Sequence, residues 1–150
     1  MFFGETAVNL DAKGRLAIPV RYRELIAGAC NNKLVLTYNP FEISSLLLYP
    51  EEEWDKLKDQ IMALSSFNDE HRNLQLKLVG SAFHIEPDKG FRLQLPVNMR
   101  QEASMDKKVV MLGMGKKFEI WNDDALMKVR RAVINKSGDE VTDEMKKIVL

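Results

Sequence analysis

Apolar side chains along this chain switch between a period of two and a period of three to four, and the switches run in the same order twice. Val8 and Leu10 alternate with polar neighbours and predict a strand over 6–10. Asp11-Ala12-Lys13-Gly14 reads as a turn, and Leu16 and Ile18 resume the two-residue period until Pro19, which offers no N–H to a ladder. Tyr22, Leu25 and Ile26 share one face of a helix predicted over 20–26 and closed by Gly28. Strands are predicted over 34–37 and 45–49. Tyr49-Pro50-Glu51-Glu52-Glu53 then starts a helix, with carboxylates at the positive end of its dipole and a stripe of Trp54, Leu57, Ile61 and Leu64. A further helix is predicted over 68–79, capped by Asn68 and stopped by Gly80.

The plan then repeats. Strands are predicted over 82–85 and 93–95 around a turn at 87–90, followed by a short helix over 97–103 and strands over 108–112 and 118–121. Asn122-Asp123-Asp124 starts a helix as Pro50-Glu51-Glu52 does. Leu48-Tyr49 corresponds to Ile120-Trp121, so each copy covers roughly 45 residues. Ser137-Gly138 breaks the pattern after Ile134, and 139–150 reads as a charged tail with a frayed helix.

The duplication is sharpest in one short motif. Asp11, Arg15, Leu16, Pro19, Val20 and Arg23 recur 77 residues later as Asp88, Arg92, Leu93, Pro96, Val97 and Arg100, and Ile18 is matched by Leu95. Such a period is too long for a solenoid and indicates a pseudo-symmetric domain.

Composition narrows the class without naming a partner. The chain has 150 residues, with 22 Lys and Arg against 22 Asp and Glu, so total charge gives no reason to expect nucleic acid. Its 45% hydrophobic content is that of an ordinary globular domain. The single cysteine, Cys30, excludes an internal disulfide and suits a reducing compartment. No apolar run reaches the ~18 residues of a spanning helix, and the first residues lack the form of a signal peptide; a cytoplasmic protein is expected. Locally the balance changes. Residues 12–23 hold Lys13, Arg15, Arg21 and Arg23 with no acid, while Lys89, Arg92 and Arg100 form a thinner basic set in the second copy.

An aspartate at a turn can accept backbone N–H bonds and orient an arginine four positions on, aiming its donor fork outward. The same pair can equally be an ion pair that only stiffens the turn, which when exposed contributes ~0.2–1 kcal/mol. The residues alone leave both readings open.

Met1-Phe2-Phe3-Gly4-Glu5, the run from Asn9 to Leu16, Arg21-Tyr22-Arg23, Leu46 to Pro50, Glu53-Trp54 and, in the second half, Asp88, Arg92, Leu93 and Lys117 to Trp121 together resemble the MraZ family. The resemblance implies an α+β fold: a duplicated AbrB-like swapped-hairpin β-barrel with flanking helices. Half 1 would span 5–52 with a helical connection over 51–79, half 2 would span 81–124, and a C-terminal helix and tail 125–150. It implies a DNA-binding transcriptional regulator, repressing its own division and cell-wall operon through upstream direct repeats. Association with the nucleoid and a ring-shaped homo-oligomer, octameric in many members, are implied as well. No cofactor is expected. By the motif, the DNA-contacting role falls on Asp11 and Arg15 and by repeat on Asp88 and Arg92; the neighbouring charges Lys13, Arg21, Arg23, Lys89 and Arg100 complete the expected DNA-binding set. Asn98 and Met99 stand where the first copy has Arg21 and Tyr22, so the first half is expected to carry more of the affinity.

Other classes fit less well. Two aspartates from two halves suggest an aspartic protease, but each is followed by Arg at i+4, which favours ionisation of both where that chemistry needs the two pKa values split. No enzymatic role is expected. An AbrB-type antitoxin or assembly module, turning the basic face to a protein, is the alternative; two folded halves with a short tail suit it poorly. His71 and His84 have no cysteine nearby, so no metal site is expected.

Overall fold

The computed structural model describes residues 1–134 and 141–149, the side chain of Ile134 excepted. In chain order the elements are β1 (Phe2–Asn9), β2 (Arg15–Ala17), α1 (Val20–Cys30), β3 (Leu34–Tyr38), β4 (Ser45–Pro50), α2 (Glu51–Met62) and α3 (Asp69–Leu74). A π-helical turn (Gln75–Val79) continues α3, followed by β5 (Phe83–Ile85), β6 (Arg92–Gln94), α4 (Val97–Glu102), β7 (Lys108–Gly115), β8 (Phe118–Asn122), α5 (Asp123–Ile134) and α6 (Asp143–Lys146). The break expected at Ser137-Gly138 lies outside the described residues.

Hairpins β3–β4 and β7–β8 stay within their own halves, and every other strand pairs across the duplication. β1 runs antiparallel to β7, with Val8 opposite Val109, and β5 runs antiparallel to β3, with Ile85 opposite Leu34. β4 meets β8, with Leu47 opposite Glu119 where the pseudo-two-fold axis passes. The six-stranded sheet therefore has the order β1-β7-β8-β4-β3-β5, and β2 and β6 pair with each other as a separate ribbon. Among the described residues no ladder joins ribbon to sheet, so the enclosure is made by side chains. Leu16, Ile18, Leu93 and Leu95 from the ribbon segments meet Leu34, Leu36, Leu46, Leu48, Met111, Phe118 and Ile120 in one buried cluster. Alternation along each strand assigns these residues to the inner face and leaves Val35, Tyr49, Val110 and Trp121 on the outer one. There α2 with the π-helical turn covers half 1, and α5 covers half 2.

Several boundaries move from where the sequence puts them. β1 begins at Phe2, since Gly113 lets the backbone at Phe3 approach closer than any side chain would permit. The Tyr22 hydroxyl donates toward the Phe3 and Gly4 carbonyls, each 3.0 Å away. α1 runs through Gly28, which sits exposed in its last turns, and ends at Asn31, whose φ of 51° and N–H to the Ala27 carbonyl form the C-terminal cap. His71 is half-buried, and its Nδ1 is shut off from solvent.

Candidate nucleic-acid interface

The two turns are bond-for-bond copies. Asp11 Oδ1 accepts the N–H groups of Lys13 and Arg15, each at 2.9 Å, and its Oδ2 accepts Arg15 Nε at 2.6 Å. Asp88 Oδ1 accepts from Gly90 and Arg92, each at 2.9 Å, and its Oδ2 accepts Arg92 Nε at 2.9 Å. Backbone bonds close each loop, from Gly14 N–H to the Asp11 carbonyl and from Phe91 N–H to the Asp88 carbonyl. The backbone N–H of Arg15 and of Arg92 is the foremost cause holding each carboxyl below its ordinary value of 3.8. Both aspartates are thus fixed as ionised acceptors, the opposite of a split acid–base pair.

Both loops need a left-handed residue directly before the arginine. Gly14 fills it in the first copy with φ of 77°, and Phe91 fills it in the second with φ of 59°. The departure has a partner: the Arg23 guanidinium lies 4.6 Å from the Phe91 ring centroid while its Nε donates to the Ile18 carbonyl at 2.9 Å. Its repeat equivalent, Arg100, donates from Nε to the Leu95 carbonyl at 3.1 Å and lies over Gly14, where a Cβ would strike its guanidinium. Each of these arginines crosses to the turn of the other half.

That crossing redistributes the charge read from the sequence. Residues 12–23 do not form one basic patch. Lys13 and Arg15 are joined by Arg100, and Lys89 and Arg92 by Arg23, giving each turn three cations. The two turns thus carry equal numbers of cations, through a swap that no local pattern records. Arg21 stands apart: its guanidinium lies over the Tyr22 ring, donates to the Tyr22 hydroxyl at 2.6 Å and crowds Gly4. Gly4 is five strand residues from Asn9, roughly 17 Å along β1 from the first turn.

The ribbon brings the two motif arginines together. Arg15 pairs with Gln94, Leu16 with Leu93, and Ala17 with Arg92. Leu16 and Leu93 are fully buried, so alternation turns Arg15, Ala17, Arg92 and Gln94 to the opposite, solvent-facing side. Arg15 and Arg92 are diagonal neighbours there, with Cα atoms roughly 7–8 Å apart. Their Nε atoms are held by the carboxylates; among the described residues no chain acceptor takes the terminal Nη groups, which leaves four N–H donors on each arginine for a ligand. Gln94, which sequence reasoning passed over, donates to the Lys13 carbonyl at 2.8 Å and props the first turn. Its signal was its alignment with Ala17 on an exposed strand position.

Two neighbouring arginines, each braced by a carboxylate through Nε with its Nη ends open, make a surface suited to bidentate acceptors. The comparisons with known proteins agree on one family. The family described as "MraZ protein, putative antitoxin-like" matches residues 1–77 and again 78–148. A protein of Stenotrophomonas maltophilia (strain R551-3) named "Transcriptional regulator MraZ" is 50% identical over 125 residues, covering 83% of this chain and 84% of its own. One of the same name from Xanthomonas campestris pv. campestris (strain 8004) is 45% identical over 149 residues, covering 95% and 98%. Another from Marinobacter nauticus (strain ATCC 700491 / DSM 11845 / VT8) is 42% identical over 124 residues, covering 83% of each.

Proposed function

The chain belongs to the MraZ family of transcriptional regulators, and we propose that it acts by laying the β2–β6 ribbon into the major groove of double-stranded DNA. The observation carrying this reading is the pairing that sets Arg15 and Arg92 side by side on one exposed face, each with its Nε braced and its Nη ends open. A major groove admits a two-stranded ribbon, and an arginine fork matches guanine O6 and N7. Lys13, Lys89, Arg23 and Arg100 flank the pair and serve phosphates, which fix position without reading sequence. Asp11 and Asp88 hold the forks. Arg21 lies too far along β1 to join the same base step.

One chain offers few contacts and binds weakly alone. A ring-shaped homo-oligomer, an octamer in this reading, facing direct repeats upstream of the chain's own division and cell-wall operon gains ~10²–10⁴ in avidity where spacing permits. Regulation is then repression of that operon, in the cytoplasm and on the nucleoid. Residues 5–52 and 81–124 act as equivalent halves with both turns engaged.

A titration of the DNA immediately upstream of the coding region, at several salt concentrations and against scrambled competitor, tests the reading. Expected is a steep loss of binding with salt together with preference for the upstream sequence. Binding indifferent to sequence would reject it. The antitoxin reading, which the family's description as antitoxin-like favours, gains if the basic face binds an acidic protein and no DNA.

A further inference from the structure

The duplication runs beyond the strands into the helices, and there one copy is incomplete. α2 and α5 are both twelve residues long and start 72 positions apart, so Tyr49, Trp54, Leu57 and Ile61 correspond to Trp121, Leu126, Val129 and Val133. The next helix is also repeated. Asn68-Asp69-Glu70-His71-Arg72-Asn73-Leu74 is matched by Thr142-Asp143-Glu144-Met145-Lys146-Lys147-Ile148. Asn68 caps α3 by accepting the His71 N–H at 3.0 Å, and Thr142 caps α6 by accepting the Met145 N–H at 3.2 Å.

In half 1 the helix after α2 folds back. Leu74 and Leu78 pack with Val35, Trp54 and Ile61, and Gln75 Nε2 donates to the Ile61 and Leu64 carbonyls at the end of α2. Thr37 Oγ1 donates to the Leu78 carbonyl at 2.7 Å, pinning the π-helical turn to the sheet. Ile61 is 5% exposed as a result. In half 2 the seat is bare at its far end: Val133, the counterpart of Ile61, is 60% exposed, while Leu126 stays buried against the sheet. α6 is bare as well: Met145 on it, Val141 before it and Ile148 and Val149 after it are apolar, and every described residue from 141 to 149 is exposed. A helix and the seat its duplicate occupies are thus both left open on one chain.

We propose that α6 of one copy of this chain docks on the α5 face of a second copy, with Ile148 against Val133 as Leu74 sits beside Ile61 in half 1. The occupant is a second copy because the single chain, with its own α6 present, leaves the seat empty. The contact joins two different patches, so it is heterologous and propagates head to tail, closing a ring or extending a fibre. It rests on the self-assembly part of the proposed function and supplies its contact; it is independent of the DNA face.

Two Cys30→Ser proteins, one also carrying Val133→Cys and the other Ile148→Cys with a larger tag, are co-expressed full length and oxidised. The expected result is a disulfide-linked heterodimer in excess over either homodimer on a non-reducing gel, reversed by dithiothreitol. A chain carrying both substitutions should give a ladder of linked chains. A fast-migrating internally bridged monomer instead would overturn the proposal in favour of docking within the chain. Free thiols in a species that still sediments as an oligomer would overturn it while leaving self-assembly standing; free thiols in a monomer would end both. Ile148→Asp, at a position exposed in the single chain, should lower the sedimenting mass several-fold with the DNA-contacting residues intact; an unchanged mass would count against the contact.

Discussion

At the residue scale the decisive groups are the two aspartates and what each freezes. Their carboxyls are held below 3.8, so in the folded chain they stay ionised where the unfolded chain begins to protonate. A depressed carboxyl contributes stability that is present above its unfolded pKa and lost as pH falls through the folded one. The amide resonances of Lys13, Arg15, Gly90 and Arg92 should therefore stay fixed between pH 5 and 8 and move only below about 4. Movement near neutrality would mean the brace is not formed. Gly14 and Phe91 give a second comparison. A non-glycine residue in the left-handed region costs ~1–2 kcal/mol, and Gly14→Ala must also displace Arg100, so a melting temperature lower by ~2–8 °C is expected. Phe91→Gly relieves the same strain but loses the Arg23 contact, worth ~0.5–1 kcal/mol; thermal unfolding should shift by no more than ~1 kcal/mol in stability. The sequence showed the Asp-x-x-x-Arg spacing in both copies, but the Arg23–Phe91 and Arg100–Gly14 pairs join residues 68 and 86 positions apart and leave no periodic trace.

At the element scale alternation placed the strands, since a sheet with one face on the core imposes a period of two on Leu34, Leu36, Leu46, Leu48, Phe118 and Ile120. What it could not give was their partners, because a period says which face is buried and nothing of which strand lies alongside. The swap of β1 and β5 is implied by the family resemblance and seen in the strand pairings, and leaves no mark on the period itself. Asn31 likewise outweighed Gly28 as the end of α1, since an exposed helical glycine costs only ~1 kcal/mol and the left-handed cap lay three residues on. The ribbon yields an element-level prediction. Leu16 and Leu93 are paired, fully buried and set in one shared core. Leu16→Ala and Leu93→Ala should each cost ~2–5 kcal/mol in a single cooperative unfolding transition, monitored by urea and circular dichroism. Two separate transitions would contradict a core shared by both halves.

At the scale of the whole molecule, zero net charge and DNA binding are reconciled by placement. Lys13, Arg15 and Arg100 at one turn and Lys89, Arg92 and Arg23 at the other set three cations against one aspartate at each end of the ribbon, while acidic clusters such as those on the first turns of α2 and α5 lie elsewhere. With the four flanking cations on phosphates, log affinity should fall with log salt at a slope of about −3.5 for each bound chain. A slope near zero would place the interaction elsewhere. The most direct test is fluorescence anisotropy of a labelled duplex from the upstream region, titrated with the unaltered chain and with Arg15→Ala/Arg92→Ala at one salt concentration. At ~1–3 kcal/mol for each guanine contact, the double variant should bind at least ~30-fold more weakly with unchanged circular dichroism and sedimentation. Equal affinity from a folded double variant would contradict the assignment of the ribbon as the DNA-reading surface.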